Sequence, residues 1–159
     1  MLAPLALVLA LAAADAGAAA SASDAQRFDA ERCPLPLQLR ALGSVGSAAG
    51  TWKALYVHWQ TYGKCDVGPV REGYAHGVVS LLASKWSQVG DLGRHAREDP
   101  PFLDFVVAHV DASSAPEDLE AVRSAAKGAC PKALRAMCQR LEAQADAVLH
   151  SNEVAAEVR

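Results

Sequence analysis

The clearest apolar pattern in the chain lies between Tyr62 and Val110. Val67, Val70, Tyr74, Val78, Leu81, Leu82 and Val89 recur there at intervals that place them near one face of a helix. Trp86 flanks that face or points outward. Asp66 stands where an N-cap belongs, and Pro69 falls in the first turn, where its missing N–H costs least. Gly73 and Gly77 sit inside the same helix. Each costs up to about 1 kcal/mol relative to alanine. Close approach of a second helix would compensate; a chance pair in a chain rich in alanine and glycine is the alternative.

Upstream, Trp52, Leu55, Tyr56, Trp59 and Tyr62 form another helical stripe, with Ser47 as its cap and Gly63 at the position of a left-handed C-cap. A short helix is predicted over Leu37–Leu42, and Gly43-Ser44-Val45-Gly46 then breaks the pattern. Cys33-Pro34-Leu35-Pro36 resists regular structure, because proline restricts the residue before it. Downstream, Gly90 and Gly93 loosen the chain before a short helical piece ending near Arg97. Asp99 and Pro100 open a helix with Phe102, Phe105, Val106 and Val110 on its apolar side. Ser114 and Glu117 make a capping box for a helix burying Leu119, Val122 and Ala126 and stopping at Gly128. Pro131 opens the last helix, with Leu134, Met137, Cys138, Leu141, Ala145 and Val148 inward, and the pattern fades after His150. No run alternates with period two, and no Asn-Gly or Asp-Gly hairpin signal occurs. The fold class is all-α: an irregular, disulfide-stabilised bundle of five to seven helices.

The first residues change the picture. Leu2–Leu11 is almost wholly apolar and is followed by small residues, with Ala16-Gly17-Ala18 and Ala18-Ala19-Ala20 as cleavage sites. This is a secretory signal pattern, although no Lys or Arg precedes Leu2. The expected organisation is a signal peptide over 1–20, one helical domain over 21–150 and a polar tail over 151–159. The apolar run is too short to span a bilayer, and no integral membrane segment is expected after its removal. The protein is therefore read as periplasmic or secreted.

The four cysteines, Cys33, Cys65, Cys130 and Cys138, agree with export. No C-x-x-C occurs, so neither a zinc ribbon nor a redox motif is present. If Pro131 opens a helix, Cys130 and Cys138 stand about 12 Å apart along it, beyond the roughly 7 Å that a disulfide tolerates. The expectation is that Cys33 and Cys65 each reach one of the two later cysteines. Loops that long each contribute about 4 kcal/mol in the chain-entropy model.

Charge and motifs restrict the chemistry. A net charge of −3 spread over 159 residues without a basic patch argues against nucleic acid. Glu72 and His76 share a helix face, and with Asp66 they are the best metal set, but no H-E-x-x-H or repeated Glu-x-x-His occurs. A solvated surface pair is the simpler reading. His109 at a helix end favours the helix dipole. The pairs Glu98-Asp99 and Glu117-Asp118 stand at helix starts, where negative charge is favourable anyway. No nucleophile elbow or phosphate loop is found. No catalytic residue, metal or cofactor is assigned. The candidate binding face is Asp66, Arg71, Glu72, Tyr74 and His76, residue types common at interfaces. The alternative is a carrier holding a small apolar ligand among Trp52, Tyr56, Trp59 and Phe105.

The segments CDVGPVREGYAHGVVSLLA, DPPFLDFVVAHVD and PEDLEAVRSAAKGACP are similar in order to small exported helical proteins of bacteria. Among named groups the chain resembles the Tai-type immunity proteins of type VI secretion systems. The resemblance implies a periplasmic, disulfide-stabilised helical protein that neutralises a cell-wall-degrading effector. The aromatic helix Trp52–Tyr62 and the helix after Pro131 depart from that group. The expected function is an exported, non-catalytic binding protein that recognises a protein partner as an inhibitor or immunity factor does.

Overall fold

The computed structural model describes residues 31–157; the signal-peptide expectation for 1–20 lies outside them. Seven α-helices follow Cys33: α1 (Leu35–Ala48), α2 (Trp52–Tyr62), α3 (Gly68–Ser84), α4 (Val89–Glu98), α5 (Pro100–Ala108), α6 (Pro116–Gly128) and α7 (Arg135–Glu157). Short 3₁₀ turns occupy Gly63–Cys65, Trp86–Gln88 and Lys132–Leu134. The described residues contain no strand, so the fold is an all-α bundle.

Helix α3 is the central element. Pro69 starts it without loss of a hydrogen bond, and Val70, Tyr74, Val78, Leu81 and Leu82 are buried along its inner side. Its two glycines let α1 come close. A Cβ on Gly73 would stand 2.6 Å from Val45 Cγ1, and one on Gly77 would stand 2.8 Å from Ala49 Cβ. The tight crossing is therefore real, and its partner is α1.

That crossing explains why α1 is longer than predicted. Gly43 and Gly46 do not break it; both have open space where a Cβ would be. Burial of Ala41, Val45 and Ala48 holds the helix through them. Tertiary packing outweighs a propensity cost of about 1 kcal/mol per glycine.

Several caps differ from expectation. Thr51, not Ser47, caps α2, its Oγ1 accepting from Ala54 N at 3.1 Å. Ser47 lies within α1 and donates to the Ser44 carbonyl. Gly63 is right-handed, with φ −59°, and leaves room for the Trp59 indole. Val67 occupies the N-cap of α3, because the Asp66 side chain is engaged elsewhere. Asp99 does precede α5, but its carboxylate accepts from Tyr56 instead of capping. Ala115 precedes α6, so no Ser114–Glu117 capping box forms. The last helix extends through the polar residues after His150 to Glu157.

The disulfides correct the sequence expectation. Cys33 pairs with Cys65, and Cys130 pairs with Cys138. A helix starting at Pro131 would hold Cys130 and Cys138 too far apart to pair. Instead Pro131 is extended, with ψ 136°, and α7 begins only at Arg135. The intervening turn brings the Cα atoms of Cys130 and Cys138 to 6.1 Å. Leu134 packs over Gly93 in α4, and Trp86 Nε1 donates to the Ala129 carbonyl at 3.0 Å, so this turn is held from two sides.

The aromatic stripe of α2 packs on the core, with Tyr56, Trp59 and Tyr62 half-buried against it. Trp52 is fully buried. Tyr56 and Trp59 pack on Phe102, and Trp59 also meets Phe105 at a centroid distance of 5.8 Å. These ring contacts tie α2 to α5.

Two predictions follow from this packing. Gly77→Ala is expected to cost about 1–3 kcal/mol through overpacking against Ala49, whereas Gly43→Ala is expected to stabilise by about 0.5–1 kcal/mol; urea denaturation of both variants measures the contrast. Non-reducing peptide mapping should recover Cys33–Cys65 and Cys130–Cys138 peptides. For separations of 32 and 8 residues, removing the pairs should cost about 4 and 2.5 kcal/mol respectively.

Candidate functional site

The start of α3 and the connection between α5 and α6 meet in a network of polar groups. Asp66 Oδ1 lies 2.9 Å from His109 Nε2, and His109 Nδ1 donates to the Phe105 carbonyl at 2.7 Å. His109 is completely buried. Its ring is thus fixed between a carboxylate and a backbone carbonyl, a role beyond the helix-end contact read from sequence. Arg71 lies 3.4 Å from Asp66 and 3.7 Å from Asp111, and it also donates to the Ala108 carbonyl at 3.2 Å. Asp111 Oδ1 in turn accepts from the backbone N–H of Ser113 at 3.0 Å and from its hydroxyl at 2.6 Å. The result is a clasp tying the loop after α5 to the head of α3.

The components of this clasp differ in weight. Arg71 is partly exposed, so its ion pairs are worth about 0–1 kcal/mol. The bond from Asp66 reaches a ring that is itself closed to water, and leaving that buried nitrogen without a partner costs about 1–3 kcal/mol.

Tyr74 does not join the binding face. It is buried because it shares a helix face with Val70 and Val78. Its hydroxyl lies 2.7 Å from His58 Nδ1. Burial pushes that hydroxyl well above the usual tyrosine range, with Asp66 adding to the shift. His58 Nε2 lies 3.2 Å from the Ala41 carbonyl and 3.0 Å from Ser44 Oγ. A carbonyl only accepts, so the proton sits on Nε2 and Nδ1 accepts from Tyr74. Burial lowers the His58 pKa, and the Ala41 carbonyl opposes part of that shift. Ser44 and His58 therefore do not form a nucleophile–base pair. The serine hydroxyl donates to the Arg40 carbonyl at 2.8 Å, and the facing nitrogen carries hydrogen.

Glu72 and His76 are exposed on the outer side of α3. With Val79, Ser113, Ser114 and Asp118 they line a cleft of about 420 Å³ beside the clasp. Among the described residues neither Glu72 nor Asp118 has an ion-pair partner, while Asp66, Asp91, Asp104, Asp111, Glu120 and Asp146 each face an arginine. The described residues hold no group of three or more metal-ligating side chains. Of the five residues predicted for the face, Asp66 and Arg71 form its support, Glu72 and His76 its free edge, and Tyr74 belongs to the core.

A second surface was not anticipated. Ser44, Ser47 and Ala48 of α1 and Ala54, Val57 and Thr61 of α2 line an open groove of about 580 Å³. The signal was the small residues at helical spacing in both segments. The stretch from Gly43 to Gly46 hid it by reading as a break.

Comparison with protein-family models, curated proteins and solved structures finds no match.

Asp66→Ala is expected to destabilise by about 1–3 kcal/mol, whereas Glu72→Ala and His76→Ala should stay within about 0.5 kcal/mol of the parent; thermal or urea unfolding distinguishes support from free edge. His58 gives a pH test. Its folded pKa lies below the unfolded value of about 6.5, so the unfolded chain binds more protons in that window. Its contribution to stability is complete above the unfolded value and is lost as pH falls toward the folded one. The slope of unfolding free energy between about pH 7 and 5 should be shallower in His58→Gln than in the parent.

Proposed function

We propose that the protein is an exported, non-catalytic helical binding protein that recognises a protein partner through the outer face of α3, in the manner of an inhibitor or immunity factor. The observation that carries this reading is the mounting of Glu72 and His76. Both are exposed and border a cleft, and the surface under them is fixed by the Asp66–Arg71–Asp111 clasp and the buried His109. A backbone already held in place loses little entropy on binding, and side chains without internal partners can turn to a partner's groups without breaking existing bonds.

Export is supported by the signal-like first residues and by two disulfides, which persist in oxidising compartments. No described helix is long and apolar enough to cross a membrane. The resemblance to Tai-type immunity proteins points the same way and suggests an effector as partner.

The test is affinity capture of the mature protein from periplasmic extract, parent against Glu72→Lys/His76→Glu. The expected result is a discrete protein partner held by the parent and weakened at least about tenfold in the double variant, with unfolding unchanged. Equal retention of the partner by both proteins, or a co-purified lipid and no protein, would overturn the proposal.

A further inference from the structure

We propose that the groove between α1 and α2 is a separate docking surface for an amphipathic helix of a partner protein, one with an apolar seated face and a carboxylate placed to meet Lys53. The lining residues look polar by name but not by presentation. Ser44 Oγ donates to the Arg40 carbonyl, Ser47 Oγ to the Ser44 carbonyl and Thr61 Oγ1 to the Val57 carbonyl, at 2.8–2.9 Å. Thr51 Oγ1 accepts from Ala54 N. With these hydroxyls engaged by backbone, the groove offers mainly methyl and methylene surface.

Shape selects the occupant. Small side chains on both walls let a third helix seat its ridge between α1 and α2. Val57 is 51% exposed on one wall, an apolar contact with nothing over it among the described residues. The groove is shallow and open to solvent. A small apolar molecule would leave much of its surface in water there, whereas small-ligand sites bury about 70–90% of their ligand. An extended element meets no such limit.

Charge selects the sign. Lys53 is the one lining residue with a full positive charge, and no carboxylate pairs with it among the described residues. The floor is rigid, since His58 is held by Tyr74 and the Ala41 carbonyl.

This surface is independent of the α3 face, and its test separates the two. A display library of amphipathic helical peptides is selected on the intact mature protein. Binders should converge on apolar residues at helical spacing with Asp or Glu beside them. Their affinity should fall at least about tenfold in Val57→Asp and about threefold in Lys53→Glu. Replacing the peptide acid by lysine should restore binding to Lys53→Glu, and Glu72→Lys/His76→Glu should leave binding unchanged. Both groove positions are exposed, and unfolding curves check that each variant is folded. Failure to enrich helical binders, binders indifferent to both groove variants, or a fluorescent fatty acid that binds the parent and is lost in Val57→Asp would each overturn the proposal.

Discussion

Val45 and Ala49 resting on Gly73 and Gly77 is the contact on which the remaining structure depends. Helices with larger residues at a crossing stand about 8–10 Å apart; here the missing side chains of α3 admit α1 more closely. The approach brings the carbonyl of Ala41 and the hydroxyl of Ser44 within reach of His58. His58 in turn receives the Tyr74 hydroxyl, so a polar group in the centre of the core is fully engaged. An unpaired hydroxyl there would cost about 1–3 kcal/mol. Geometry at the crossing and polar satisfaction in the core are two consequences of one contact.

From α3 the molecule divides its polar residues into two kinds. Asp66, His109, Arg71 and Asp111 face one another and spend their hydrogen bonds on fixing a loop. Glu72 and His76, on the next exposed positions of the same helix, have no such engagement and stand at the edge of a cleft. The disulfides reinforce the two ends of this arrangement. Cys65 joins the chain just before Asp66 to the segment before α1, and Cys130 closes the turn that seats Leu134 on Gly93. Covalent links whose sulfurs lie in or against the core, and free polar groups on a supported helix, make up the frame on which the proposed recognition rests.

The stripes of α2, α3, α5 and α6 were legible because their apolar positions repeat with a helical period and their burial follows from it. The Gly73–Gly77 crossing was legible for a related reason, since glycine inside a strong helix requires compensation. What was not legible depended on groups distant in sequence. Asp66 looks like a cap until His109, at the end of α5, is placed beside it. Tyr74 lies on the apolar stripe, and its hydroxyl suggested exposure because its partner His58 could not be foreseen. Gly43 and Gly46 read as a break, since the burial that holds α1 together is supplied by α3. The local Cys130–Cys138 pair was missed through one premise, a helix that started four residues too early.

Native-state amide hydrogen exchange tests the central claim most directly. If the α1–α3 contact organises the fold, the amides around Val45 in α1 and those from Tyr74 to Leu82 in α3 will exchange with the same free energy, the highest in the molecule, through global unfolding. Exchange around Val45 that is much faster than in α3, with α3 still protected, would show that α1 opens independently and that the contact is peripheral.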